Sequence, residues 1–238
     1  MKKPTLTVVM PFYNEEKTLL KIIKKVLSQG VFEIIAVNDG SQDGSLNKLE
    51  AFVKDNPGYK KKLRIFSNPC NLGKGAALIL GVKQATGDFI VIQDGDLEYN
   101  PADYKKMIYP ILKKQAQFVI GNRWSVKKRG YLLAQAGNFY MNVLTNLLFR
   151  SGFGDSYSCY KLGPAKIWKG LKLKSSGFEI EAEITGKLAK KGIKIHEVPI
   201  SYRPRTFKEG KKINWKDIIK GTKTLLQIRF NLGIYKND

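Results

Sequence analysis

Asp88-Phe89-Ile90-Val91-Ile92-Gln93-Asp94-Gly95-Asp96-Leu97-Glu98 is an apolar run that ends in three carboxylates at alternate positions. Phe89 to Ile92 reads as a short buried strand, because β-branched and aromatic residues suit a pleated, enclosed surface. A tight turn at Gly95 after the strand end aims Asp94, Asp96 and Glu98 at one point. Carboxylates gathered there repel one another, and a shared divalent cation relieves the repulsion. Hard oxygen ligands suit magnesium or manganese, and such an ion also takes diphosphate oxygens. An acidic surface turn is the plainer reading of a bare Asp-x-Asp. The strand in front and the third carboxylate favour the ion, since open α/β sheets bind ligands at the carboxyl ends of their strands.

Outward from this stretch the chain repeats one pattern. Leu6–Met10, 32–37, Leu63–Phe66 and 117–120 are further short apolar runs, read as strands. Between them lie segments of helical spacing: Leu19, Leu20, Ile23, Val26 and Leu27; then Leu46 to Val53; then an alanine-rich helix running to Gln84; then one from Pro101 to Leu112. Strands alternating with amphipathic helices predict a Rossmann-like, mostly parallel α/β sheet flanked by helices on both faces. Right-handed crossovers place the loops Pro11–Glu15, Asp39–Ser45, Asn71–Gly75 and Asp94–Glu98 along one edge. Neither a dinucleotide fingerprint nor a P-loop occurs, so a nucleotide held through carboxylates and a metal fits better.

The later chain differs. Leu132, Leu133, Ala136, Tyr140, Val143, Leu144 and Leu147 share one side of a helix, with Gln135, Asn138, Asn142 and Asn146 on the other. Such a helix, entered through Trp124-Ser125-Val126-Lys127-Lys128-Arg129, fits a membrane interface or a sheet surface. A helix over 177–191, an alternating strand over 193–200 and an amphipathic helix over 213–230 close the chain. His196, the single histidine, reads as a core or edge residue. Glu179, Glu181 and Glu183 read as a solvated helix end, with Glu179, like Asp155, the alternative for orienting a substrate.

Charge narrows the function. The 238 residues carry a net +22 with 43% hydrophobic content, enough for a full core. Residues 1–120 hold 18 Lys+Arg against 12 Asp+Glu, whereas residues 121–238 hold 24 against 8, a net of +6 and +16. The second half therefore faces something anionic: nucleic acid, an anionic membrane or phosphorylated molecules. No helix-turn-helix, zinc or RNP signature supports nucleic acid. Two cysteines without metal-like spacing, no signal peptide and no apolar span of membrane length predict a reducing, cytoplasmic setting.

Val9-Met10-Pro11-Phe12-Tyr13-Asn14-Glu15, Asn38-Asp39-Gly40-Ser41 and Asp94-Gly95-Asp96, in this order, resemble the family 2 glycosyltransferases of the GT-A fold. Gly177-Phe178-Glu179-Ile180-Glu181, Glu197-Val198-Pro199-Ile200-Ser201-Tyr202 and Arg205-Thr206-Phe207-Lys208-Glu209-Gly210-Lys211-Lys212 resemble the dolichyl- or polyprenyl-phosphate sugar synthase branch. The resemblance implies a metal-dependent, inverting transfer of a sugar from a nucleotide diphosphate (GDP-mannose or UDP-glucose type) to a polyprenyl phosphate. It implies that Pro11, Tyr13, Glu15 and Asp39 cradle the base and ribose, with Lys74 beside them. Asp94, Asp96 and Glu98 would hold Mg2+ or Mn2+ on the diphosphate. Arg123 would face the acceptor phosphate, Asp155 would stand near the sugar, and Arg205, Lys211 and Lys212 would clamp phosphates. Residues 1–121 become a nucleotide-sugar half and residues 122–238 a basic acceptor half of one domain. Branch members often carry Ala where Gly95 stands, a harmless departure. Others carry further membrane spans, so attachment here falls to peripheral contact with the cytoplasmic face of a membrane or to an anchoring partner protein. A polysaccharide or other soluble acceptor, and a non-enzymatic nucleic-acid binder, are the competing readings.

Overall fold

Strand β1 (Leu6–Phe12) is enclosed on both sides, and its alternate residues enter two different cores. Val8, Met10 and Phe12 face one layer, and Val9 faces the other. The same alternation holds in β2 (Glu33–Asn38), where Ile34 and Ala36 oppose Ile35 and Val37. A strand covered on both faces reads as a continuous apolar run, which is how these runs stand out in the sequence. The computed structural model describes residues 4–124, 132–205 and 215–236.

Three further strands precede the chain midpoint: β3 (Leu63–Ser67), β4 (Phe89–Ile92) and β5 (Phe118–Asn122). The first core layer is closed by α1 (Leu19–Leu27), α2 (Ser45–Asp55) and α4 (Tyr104–Leu112). In α1 the buried Leu19, Ile22, Ile23 and Val26 follow helical spacing, and Lys24 and Lys25 sit in the last turn, where cations suit the helix dipole. The opposite layer is closed by α3 (Lys74–Gln84), α6 (Ala165–Gly170) and α7 (Ile180–Lys190). Two helices, α5 (Leu132–Phe149) and α8 (Trp215–Phe230), pack with α7 around Met141, Tyr157, Ala182 and Leu225.

With β6 (Lys161–Pro164) and β7 (Ile195–Pro199) the sheet has seven strands in the order β3-β2-β1-β4-β6-β5-β7. The strands β1 to β4 pair with one another in parallel, as the sequence pattern predicts. The unpredicted strand is β6 (Lys161–Pro164), inserted antiparallel between β4 and β5. It is four residues long and contains Lys, Gly and Pro, so no apolar alternation marks it. Gly163 is needed there, because a Cβ would lie 2.2 Å from the Phe118 ring. That ring packs on Trp168 of α6, whose indole N–H donates to the Ile90 carbonyl at 3.0 Å. Edge strand β7 (Ile195–Pro199) pairs parallel with β5 and leaves His196 exposed, the edge position expected for it. Strand order reverses between β1 and β4, and there the loop ends part to leave a cleft.

Candidate active site

The loops after β1, β2, β3 and β4 do converge. Pro11, Tyr13, Glu15, Asp39, Asn71, Lys74, Asp94, Asp96 and Glu98 all line one cavity of about 680 Å3, which Arg123 and Arg205 also reach. The turn that carries the carboxylates is held from below by Gln93. This fully buried amide accepts from Tyr104 Oη at 2.7 Å and Tyr160 Oη at 2.6 Å, and its Nε2 donates to the Asp94 carbonyl. Leu97 adopts φ 64, an unusual value for a branched residue, and so separates the directions of Asp96 and Glu98.

The three carboxylates are not gathered on one point. Asp94 pairs with Lys74 Nζ at 2.8 Å. Asp96 pairs with Arg205 at 2.8 Å, and the same guanidinium reaches Glu15 at 3.0 Å. Glu98 accepts from the Arg205 backbone N–H at 2.7 Å and from Tyr202 Oη at 3.1 Å. Among the described residues no three His, Cys, Asp or Glu side chains are grouped to hold a metal ion. The donor set nevertheless suits one. Burial, followed by the charges of Asp94 and Glu98, pushes the Asp96 carboxyl up to about 7 against the pull of Arg205. A cluster that resists its own ionisation gains from added positive charge.

Other expected residues are more committed. The buried Asp39 carboxylate accepts from Asn68 Nδ2, Leu72 N–H and Gly73 N–H at 2.8, 3.1 and 2.9 Å, so it shapes the loop that ends at Lys74. Asp155 and Arg123 form one buried unit. Two parallel hydrogen bonds of 2.8 Å join the side chains, and the Arg123 backbone N–H adds a third. Asp155 therefore orients Arg123, which stacks 5.3 Å from the Tyr202 ring and lines the cavity. Glu197, from the Glu-Val-Pro-Ile motif, holds this pair in place by accepting from Asn122 Nδ2 and from the N–H groups of Gly154 and Asp155. Lys211 and Lys212 lie outside the described residues.

Sequence reasoning undervalued Glu181 and Glu183. Neither is a solvated helix end. Glu183 is fully buried, pairs with Lys187 and accepts from the N–H groups of Lys174 and Ser175. Glu181 lies between Lys74 at 3.1 Å and the buried Lys161 at 2.5 Å. Burial raises its carboxyl, and Lys161 and Lys74 more than reverse this, holding it down to about 2. The run Lys74–Glu181–Lys161 thus ties α3, α7 and β6 together behind Asp94. The signal was available in Lys161, a charge directly before Leu162 with no exposed helix to carry it. Gly73 and Gly75 let the start of α3 approach the chain at 175–177: a Cβ on them would lie 2.5 Å from the Ser176 carbonyl oxygen and 2.2 Å from the Ser175 one.

A family model described as Glycosyl transferase family 2 matches residues 7–168. The chain is 29% identical to the uncharacterized protein MJ1222 of Methanocaldococcus jannaschii, across 96% of this chain and 92% of that protein. It is also 29% identical to Glycosyltransferase AglJ of Haloferax volcanii, across 83% of this chain and 63% of that one. Among solved structures it resembles glucosyl-3-phosphoglycerate synthase from Mycobacterium tuberculosis, in complex with Mn2+, UDP and glucosyl-3-phosphoglycerate. The TM-score is 0.71 at 19% identity, covering 97% of this chain and 81% of that one.

Proposed function

The chain belongs to glycosyl transferase family 2, and from that premise we propose that it transfers a sugar from a nucleotide-diphosphate sugar to a polyprenyl phosphate. The observation that carries this reading is the mixed lining of the 680 Å3 cavity. At one end Pro11, Tyr13 and Asp39 flank space for a nucleoside. Lys74, Asp94 and Asp96 stand where its diphosphate would end, and Arg123 and Arg205 supply positive charge beside it. The same lining includes the apolar Met141, Phe178, Trp215 and Ile218. A phosphate on a hydrocarbon chain asks for that combination of cations and apolar lining. Family membership also accounts for the carboxylates that a nucleic-acid binder leaves unexplained.

The attacking atom would be an acceptor phosphate oxygen, already anionic near neutral pH because the second phosphate pKa is about 6. Its bond to the anomeric carbon forms as the bond from that carbon to the diphosphate breaks, and the nucleoside diphosphate leaves with the electron pair. A single displacement inverts the anomeric centre. No strong general base is required, which fits a site where Asp155 is spent on Arg123. Asp94 and Asp96 would hold Mg2+ or Mn2+, which offsets charge on the leaving diphosphate. The Mn2+ and UDP of the mycobacterial synthase agree with such a site. Arg205, bridging Glu15 and Asp96 in the free protein, would pass to phosphate when a cation takes Asp96.

The test is transfer from a panel of labelled GDP- and UDP-sugars, with Mn2+ or Mg2+, to a polyprenyl phosphate in detergent. An organic-extractable, acid-labile sugar is expected. Label found only in water-soluble product, with a polysaccharide or phosphorylated small acid as acceptor, overturns the lipid acceptor.

A further inference from the structure

Helix α5 is apolar on two sides: Met141, Leu144 and Leu148 pack inward, and a second apolar stripe faces out. Phe139, Val143 and Leu147 are 63%, 47% and 77% exposed, and Tyr140 is exposed beside them. Two asparagines hold the helix by another side to the 153–156 loop. Asn142 and Asn146 each donate to the Phe153 carbonyl at 2.8 Å, and they accept from the Ser156 and Phe153 N–H groups. On α8, Trp215, Ile219, Leu226 and Phe230 fall on one side by helical spacing, and all four are exposed, Trp215 by 65%. The two stripes meet. Thr222, between Ile219 and Leu226 on that side, reaches Tyr140 Oη at 3.4 Å. Trp215 and Ile218 also line the cavity, together with Gly137, Asn138 and Met141 of α5. The joined apolar surface therefore runs from the mouth of the cavity outward.

Among the described residues of α5 and α8, the exposed charges have one sign. Lys216, Lys220, Lys223 and Arg229 are exposed on α8, and its single acidic residue, Asp217, is buried. Residues 132–149 of α5 carry no charge at all. An apolar face whose exposed charges, among the described residues of the two helices, are all cations matches a lipid interface with anionic headgroups.

We propose that the joined outer faces of α5 and α8 seat this protein on an anionic bilayer, with the cavity mouth at Trp215 opening at the headgroup level. The value of that placement for catalysis rests on the lipid acceptor proposed above; the docking itself does not. Leu147, Ile219 and Phe230 enter the acyl boundary, and the basic rim supplies electrostatic attraction that salt screens over about 8 Å at physiological ionic strength.

The test is flotation with vesicles of phosphatidylcholine alone or with phosphatidylglycerol, without donor or acceptor. Binding to the anionic vesicles that falls steeply with salt is expected. Leu147→Glu and Phe230→Glu should each weaken it roughly tenfold or more, the scale of keeping one large apolar side chain out of the lipid. Tyr109→Glu, on the exposed side of α4, should bind as the parent does, and all three variants should keep the parent's affinity for nucleotide sugar. Equal binding to neutral vesicles, no binding to either, or variants that float like the parent would overturn the proposal. So would a dimer in light scattering that Leu147→Glu dissociates, since a second copy would then own the face. Vesicle binding without any lipid-linked product leaves the docking face standing and removes the lipid acceptor. Lipid-linked product in detergent without vesicle binding does the reverse.

Discussion

Arg205 sits where three carboxylates need a cation, touching Asp96, Glu15 and Glu98 at once. A divalent ion at Asp96 has to compete with it. In Arg205→Ala, Mn2+ should bind the donor-free protein more tightly by calorimetry, while kcat should fall on the order of 100-fold as phosphate charge loses its partner. Arg205→Lys should also lower kcat more than it raises the donor KM, because lysine offers a point charge instead of two parallel donors. An unchanged Mn2+ affinity in the alanine variant would mean that ion and guanidinium do not share a site. Asp96→Asn should lose Mn2+-dependent donor binding and keep the thermal midpoint of the free protein close to that of the parent, since it removes one of several crowded charges. Glu181 behaves oppositely. Its carboxyl stands at about 2 against an ordinary 4.5. A depressed carboxylate contributes stability that is complete above 4.5 and is lost as pH falls through 4.5 towards 2. The stake is about 3 kcal/mol, at about 1.4 kcal/mol per pKa unit. Glu181→Gln should flatten that acid limb of the urea-unfolding profile. At neutral pH it should cost about 3–5 kcal/mol, because Lys161 stays buried without an anion while Lys74 keeps only Asp94.

At the scale of elements, the start of α3 is the tightest joint. Gly75→Ala drives a methyl into the Ser175 carbonyl, backbone that cannot rotate away. It should cost about 1–3 kcal/mol by overpacking, and it should weaken donor affinity by displacing Lys74 from Asp94. Gly95→Ala is the contrasting case. Its methyl would meet the Phe12 Cβ at 3.3 Å, a contact that a few tenths of an ångström relieve. Thermal melts and donor titrations of the two should separate clearly, and equal behaviour would remove the packing argument. The orientation of α5 is likewise an element-scale fact. Its period marks an amphipathic helix, and the period is the same whichever face turns inward. Met141, Leu144 and Leu148 turn towards α7 and α8, and Asn142 and Asn146 turn towards the 153–156 loop, whose backbone groups need partners.

For the whole molecule, the sheet ties both halves of the chain together. Strand β5, the last before residue 122, has β6 and β7 as its neighbours, and both come from later in the chain. A fragment of residues 1–121 would leave β5 unpaired and β4 with one bare edge. It should show no cooperative thermal transition and poorly dispersed amide resonances. A cooperative transition in that fragment would show the nucleotide-sugar half to be a folding unit on its own.

The sequence by itself determined the parallel half of the sheet, the edge where its loops converge and the family. Those features rest on local signals: continuous apolar runs, helical spacing and polar loops at strand ends. Only the tertiary structure decided the rest. Strand β6 exists because β4 and β5 present open edges, and its own four residues carry no strand pattern. Asp155 and Glu181 read alike as acidic residues, yet one is bound to Arg123 and the other to Lys74 and Lys161, across 32 and up to 107 positions of chain. Asp94, Asp96 and Glu98 alternate in sequence, but the backbone turns to a positive φ at Leu97, and Lys74 holds Asp94 while Arg205 holds Asp96 and Glu98. Alternation gives side-chain direction only while the backbone stays extended. Where a buried charge finds its counter-ion is set by which distant segments the core brings within reach.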